Sequence, residues 1–228
     1  MVRRNNMPGY KLAIDGPAGS GKSTISSLIA NKLGWTHIDT GAMYRAVTLR
    51  AIELGIDLND EDQYRFLETS IIHYDANRIY IDERDVTEDI RSDAVTKNVS
   101  LVSSFSYVRK KMVDLQKIAA SQGFIVMDGR DIGTVVLPDA DLKVFLTANV
   151  EERAKRRYKE HLNKGQDPHI KQVIEDIVKR DQKDSTRKES PLRVAEDAIV
   201  LDTTYLTIEE VVNKIIELTD KKENKHGF

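Results

Sequence analysis

Eight consecutive residues, Gly16-Pro17-Ala18-Gly19-Ser20-Gly21-Lys22-Ser23, match the pattern G-x-x-x-x-G-K-[ST] without departure. The chemistry such a stretch can do is to cradle a polyphosphate. Glycines place no Cβ in the way, so backbone N–H groups can turn inward around an anion. A helix starting at the same point presents its positive end to that charge. In this reading Gly16, Pro17, Ala18, Gly19, Ser20, Gly21, Lys22, Ser23 and Thr24 line an ATP site. Lys22 spans the β- and γ-phosphates, and the Ser23 hydroxyl ligates Mg²⁺. A flexible turn is the plain alternative, and the placement of the motif between a strand pattern and a helix pattern argues against it. The loop does not say what becomes of the triphosphate, because GTPases, helicases, transporters and kinases share it.

Two further observations narrow the choice. A helicase or transporter ATPase usually needs more than the 228 residues here, and a GTPase needs D-x-x-G and N-K-x-D segments that do not occur. Arginines, in contrast, recur where a second anion would sit. A kinase whose acceptor is itself a phosphate must hold two polyanions together, and the guanidinium fork pairs with phosphate oxygens better than an ammonium does. Arg45 follows Asp39-Thr40-Gly41-Ala42-Met43-Tyr44, and Arg130 follows Asp128-Gly129. Arg153 and Arg157 are four apart on one helical face, and Arg180, Asp184 and Arg187 repeat at i, i+4, i+7. The bland reading is a solvated face laced with ion pairs. Residues 151–189 hold twelve basic and nine acidic side chains, so that reading covers most of its lysines and glutamates, and Arg156 is taken as a surface residue. Asp39 and Asp128 are read equally as strand-end caps or as Mg²⁺ partners through water.

These side chains need a frame. Short apolar runs at Leu12–Asp15, Trp35–Asp39, Phe124–Asp128, Leu142–Leu146 and Ala198–Asp202 suit strands buried on both faces of a parallel sheet. Helical stripes lie at Ser23–Leu33, with Gly34 placed as its C-terminal cap, and at Ile208–Leu218. Alternating strands and helices predict a doubly wound α/β core, whose ligands sit beyond the carboxyl ends of the strands. Two segments interrupt the alternation. Ile71–Thr87 reads as a small antiparallel meander turning at Asp75-Ala76-Asn77 and Asp82-Glu83-Arg84. Glu151–Glu189 reads as two polar helices joined near Gly165–Pro168. Hydrophobic residues at 40% and charged residues at 32% fit a core carrying such attachments.

Thirty-five basic and 37 acidic residues give a net charge of −2, which makes no case for nucleic acid or an anionic membrane as partner. No cysteine is present, so disulfides and thiolate metal sites are excluded, and a cytoplasmic location is expected. Residues 1–9 are polar rather than a secretory signal and read as an extension; Asp220–Phe228 reads as a frayed end.

The segments Ile14–Ser23, Asp39–Arg45, Asp128-Gly129-Arg130-Asp131-Ile132-Gly133-Thr134-Val135-Val136, Glu151–Arg157 and Arg180–Arg187 closely resemble those of bacterial cytidylate kinases, a likeness that runs from about Lys11 to Leu218. The resemblance implies a P-loop, doubly wound, five-stranded parallel core (10–62, 98–150 and 190–220). It also implies an acceptor-binding region enlarged by a three-stranded antiparallel insert (63–97) and a short helical lid (151–189). It implies transfer of the γ-phosphate of ATP to CMP or dCMP, with Mg²⁺, by a monomer. By resemblance, Ser100, Arg109 and Asp131 read the cytosine; Arg180 and Asp184 hold the ribose; Thr40, Tyr44, Arg45, Arg130 and Arg187 hold the acceptor phosphate. Lys22, Arg130, Arg153 and Arg157 serve the transferring phosphoryl group. A carboxylate suits the exocyclic amine of cytosine, whereas the O4 of uracil would leave it unpaired. The alternatives are a P-loop kinase for another small acceptor (UMP, dTMP or shikimate) or a non-enzymatic ATP-gated regulator.

Overall fold

In a computed structural model that describes residues 9–75, 78–121, 123–163 and 165–225, five parallel strands form one sheet in the order β2-β6-β1-β7-β8. They are β1 (Gly9–Asp15), β2 (Thr36–Asp39), β6 (Gly123–Gly129), β7 (Leu142–Thr147) and β8 (Ile199–Asp202). The helices are α1 (Lys22–Leu33), α2 (Thr40–Glu53), α3 (Asp93–Val102), α4 (Ser106–Ala119), α5 (Val150–Asn163), α6 (Ile170–Thr186) and α7 (Ile208–Lys225).

The strand sequences explain why no strict alternation is visible. Along β1, Leu12 and Ile14 point into a cluster with Ile25, Ile29, Val211, Val212 and Ile215, beneath α1 and α7. Ala13 points the other way, into a larger cluster with Ile38, Met43, Val47, Val108, Met112 and Met127. Both faces are covered, so both sets of positions are apolar. The expectation of two-sided burial fails at the margin: β8 is an edge strand, and its Ile199 and Val200 are exposed.

Register fixes what stands at the carboxyl edge. Asp15 pairs with Gly129, and Asp39 pairs with Asp128. Three strands therefore deliver three carboxylates and the start of the Asp128–Asp131 turn to one level.

The meander is present as β3 (Ile72–Asp75), β4 (Arg78–Ile81) and β5 (Arg84–Asp85), antiparallel in that order. Ala76 and Asn77 of its first expected turn lie outside the described residues, as do residues 1–8 and 226–228. Ile72, Ile79, Ile81, Val86 and Ile90 belong to the larger of the two sheet clusters. The polar helices α5 and α6 share a small cluster of their own, made of Ala154, Val173 and Ile177 with Val150 and Ile174 alongside. The carboxyl terminus departs from expectation: α7 runs on through Lys225, because the apolar stripe continues past Ile215 to Leu218 and the buried Thr219 hydroxyl donates to the Ile215 carbonyl. No helix among the described residues is long and apolar enough to cross a membrane.

Candidate active site

The phosphate-loop residues leave β1 and enter α1 as the motif predicts. Gly16 has φ 151°, and a Cβ there would collide with the Leu146 carbonyl; Gly21 caps α1 with φ 88°. These are backbone shapes that only glycine adopts without strain. The Lys22 ammonium folds back to donate to the Pro17 carbonyl at 2.7 Å and to Ser20 Oγ at 3.3 Å. Burial drives its pKa well below the ordinary 10.5, and Arg130 and Arg180 push the same way, while Asp128 and Asp15 oppose them. A buried ammonium flanked by both guanidinium groups and carboxylates marks a functional-site candidate. Ser23 and Thr24 are exposed on the first turn of α1, and Ser23 Oγ donates to Asp39 Oδ2 at 3.2 Å.

Asp39 caps α2, accepting from the Ala42 N–H at 3.0 Å, so the capping reading and the proximity to Ser23 coexist. Asp128 is paired with His37 Nε2 at 2.7 Å. Burial and the neighbouring Asp39 raise the Asp128 carboxyl above its ordinary range, against His37. Burial opposes the charge on His37, but the bond to Asp128 outweighs it and raises the imidazole. Sequence gave no cue for His37, because it sits in β2 as an ordinary polar residue in a strand.

Asp15 is a second residue that the apolar pattern hides. As the last residue of β1 it accepts from the N–H groups of Ile132 at 2.8 Å and Gly133 at 2.7 Å, tying the phosphate-loop strand to the turn that carries Arg130 and Asp131. Burial raises its carboxyl to about 6, although those two bonds pull it back.

The predicted acceptor residues converge on one network. Asp131 takes Arg109 Nη2 at 2.5 Å and Arg187 Nη2 at 3.4 Å. Asp184 takes Arg130 Nε at 2.9 Å and lies 3.8 Å from Arg187 Nη1. Burial works against the Asp184 charge, yet Arg130, Arg180 and Arg187 together hold its carboxyl below the ordinary range. Arg180 is pushed down to about 10 by burial and by Arg130. Tyr44 lies beneath the Arg109 guanidinium, 5.3 Å from ring centre to Cζ, and burial lifts its phenol to about 12. Thr40 spends its hydroxyl on the Asp128 carbonyl at 2.8 Å, and Arg45 stands 4.0 Å from Asp39. Ser100 Oγ, Arg109 Nε and Arg180 Nε are buried with no hydrogen-bond partner among the described residues.

The lid arginines behave differently from one another. Arg153 is buried and donates to the Ala148 and Ala18 carbonyls and to Asp181. Arg157 is half-exposed and pairs with Glu160 at 2.9 Å. Arg156 is not the surface residue that its charged surroundings suggest: it donates to Ser20 O at 3.4 Å and Thr203 O at 2.7 Å, holding the phosphate loop from outside. Its long stem lets the guanidinium reach carbonyls that the lysines around it leave alone.

For a metal, the donor set is one hydroxyl, Ser23, with the Asp39 and Asp128 carboxylates nearby. This fits Mg²⁺, which keeps several waters and takes its remaining ligands from substrate phosphates rather than from a protein cage.

Comparison with known proteins matches residues 12–221 to the family described as Cytidylate kinase. A cytidylate kinase of Acholeplasma laidlawii is 63% identical over 93% of this chain and 96% of its own length. One of Bacillus pumilus is 48% identical over 94% of this chain and 97% of its own. Among solved structures, an uncharacterized protein from Eubacterium ventriosum shares the fold at 13% identity and TM-score 0.50, over 92% of this chain and 98% of its own.

Proposed function

Because the chain belongs to the cytidylate kinase family and transfers the γ-phosphate of ATP to CMP or dCMP, we propose that the carboxyl edge of its sheet is the place of transfer. ATP lies on Gly16–Thr24 and the acceptor nucleotide on the arginine–aspartate network. The observation that supports this reading is the buried pairing of Arg109 with Asp131 and of Arg130 with Asp184, beside Arg109 Nε and Arg180 Nε, which have no hydrogen-bond partner among the described residues. Such groups are costly unless a ligand completes them.

Asp131 accepts from the exocyclic amine of cytosine, while Arg109 and Ser100 donate to its ring acceptors. Arg180 and Asp184 hold the ribose. Thr40, Tyr44, Arg45, Arg130 and Arg187 hold the acceptor phosphate, and Lys22, Arg130, Arg153 and Arg157 meet the transferring group. Magnesium would be held by Ser23 directly and by Asp39 or Asp128 through water; when bound it neutralises charge on the β- and γ-phosphates.

The acceptor phosphate oxygen is already anionic near neutral pH, so no general base is needed when it attacks the γ-phosphorus in line. What the chain contributes is position and charge. Lys22, whose charge is disfavoured by burial and by Arg130, is stabilised by the phosphates it meets. The lid, 151–189, closes over core segments 10–62, 98–150 and 190–220 and the insert 63–97, and it excludes water that would otherwise hydrolyse ATP. A monomer working in the cytoplasm completes this reading.

Turnover of CMP, dCMP, UMP, dTMP and shikimate with ATP tests the reading. Asp131→Ala is expected to lower the CMP-over-UMP ratio of kcat/KM by about 10- to 100-fold. An unchanged ratio would overturn the base-reading role.

A further inference from the structure

Ala18, at the outer turn of the phosphate loop, has both of its backbone groups held by the lid. Its N–H donates to Asp181 Oδ1 at 3.1 Å, and its carbonyl accepts from Arg153 Nη1 at 2.9 Å. The two holders also bind each other, Arg153 Nη1 to Asp181 Oδ2 at 2.5 Å. Arg153 Nε is anchored on the Ala148 carbonyl at 3.0 Å, just beyond β7. The fit is close on the neighbouring residue too: a Cβ on Gly19 would stand 3.2 Å from the Arg153 carbonyl and 3.3 Å from its Cβ.

Asp181 has no part in the site as proposed above, although it lies between residues that do. The reason is helical geometry. Arg180, Asp184 and Arg187 share one face of α6 and its end, turned to the acceptor network; Asp181 is rotated about 100° from Arg180 and meets the donor loop instead. One helix thus touches both halves of the site. Arg153 depends on that contact, since a buried guanidinium is costly without a carboxylate to pair with.

We propose that Asp181 is a positioning residue for phosphoryl transfer. Acting through Arg153 and the Ala18 N–H, it sets the outer turn of the phosphate loop in the shape that receives the γ-phosphate and makes that shape depend on where the lid stands. The proposal rests on the reading that Gly16–Thr24 holds ATP.

Steady-state kinetics, calorimetric binding of CMP and of a non-hydrolysable ATP analogue with Mg²⁺, and thermal melting of Asp181→Ala, Asp181→Asn and Arg153→Met test it. Asp181→Ala should raise KM for ATP and lower kcat by about tenfold each. Its CMP affinity should stay within about twofold of wild type, while Tm falls by several degrees because Arg153 loses its carboxylate. Asp181→Asn keeps an acceptor for Ala18 and loses the charge for Arg153, so it should fall between; it also carries the comparison if the alanine variant fails to fold. The double variant Asp181→Ala/Arg153→Met should lose less than the sum of the two single losses, the excess over Arg153→Met alone being the Ala18 N–H bond that Asp181 makes by itself. Unchanged ATP parameters, an equal loss of CMP affinity, or losses that add in the double variant would each overturn the proposal. Lys22→Ala separates the two questions: if it binds the ATP analogue as wild type does, the loop reading itself fails.

Discussion

The two segments that interrupt the strand–helix alternation are joined to the sheet by different physics. The meander contributes Ile72, Ile79 and Ile81 to the cluster that also contains Met43, Val47 and Met127, so it shares the core. It is also tied by Tyr74, whose hydroxyl donates to the Asp39 carbonyl at 2.5 Å. The lid keeps a small apolar cluster to itself and meets the rest through charges: Arg153 to Ala18, Asp184 to Arg130, Arg187 to Asp131. Apolar burial is non-directional and fails only when the whole core opens. Ion pairs at a cleft can be exchanged for pairs to a ligand at little net cost. On the proposed reading, the meander is built to stay and the polar helices to trade partners.

The contrast can be broken most sharply at Arg130, which links the sheet edge to Asp184 of the lid. Arg130→Met should cost about 10³-fold in kcat/KM for CMP while Tm moves by no more than about 2 °C. A large fall in Tm would mean that the charges hold the fold together. Next in size is a matched pair of apolar truncations. Ile79→Ala should lower global stability by about 2–5 kcal/mol in denaturant titrations. Ile177→Ala should lower it by less than about 1 kcal/mol and appear instead as faster amide exchange in α5 and α6. Equal effects would erase the distinction.

The subtlest probe is pH. Burial raises Asp15 from its ordinary 3.8 to about 6. Its contribution to stability is therefore complete below about pH 3.8 and is lost as pH rises through about 6, a change of up to about 3 kcal/mol. Asp184 runs the other way: despite its burial, Arg130 and its arginine neighbours hold its carboxyl below 3.8. Its contribution is present above pH 3.8 and is lost as pH falls through its depressed pKa. Acid should therefore release the lid while the β1 edge gains. The checks are the pH profile of melting in Asp15→Asn against wild type between pH 3.5 and 7 for the sheet, and lid amide exchange in Asp184→Asn for the other arm.

Much of this was legible in the residues. The phosphate loop is a contiguous motif, and buried parallel strands announce themselves as unbroken apolar runs, so β1, β6 and β7 could be placed closely. The arginine–aspartate network was reachable only by resemblance, because Arg109 and Asp131 stand on separate elements that tertiary structure alone brings together. Asp15, His37 and Asp181 escaped for one shared reason. Each looks like an ordinary polar residue in its own element, and each acts by bonding a residue 91 or more positions away: Asp15 to Ile132, His37 to Asp128, Asp181 to Ala18. Arg156 was misjudged because charge counting over 151–189 cannot tell a side chain facing water from one facing a loop carbonyl.

For the site as proposed, the register of β1 against β6 has a consequence for which acceptors the enzyme can take. Donor loop and acceptor turn leave neighbouring strands at partnered residues, Asp15 and Gly129. Adjacent strands are spaced at about 4.8 Å by their ladder of backbone bonds. The gap between giver and receiver is thereby fixed at a value that side-chain substitution cannot stretch. Variation in the base or sugar accepted must be accommodated at the far end of the nucleotide, and a one-residue slip of β6 would turn Asp128 to the opposite face, ending the alignment altogether.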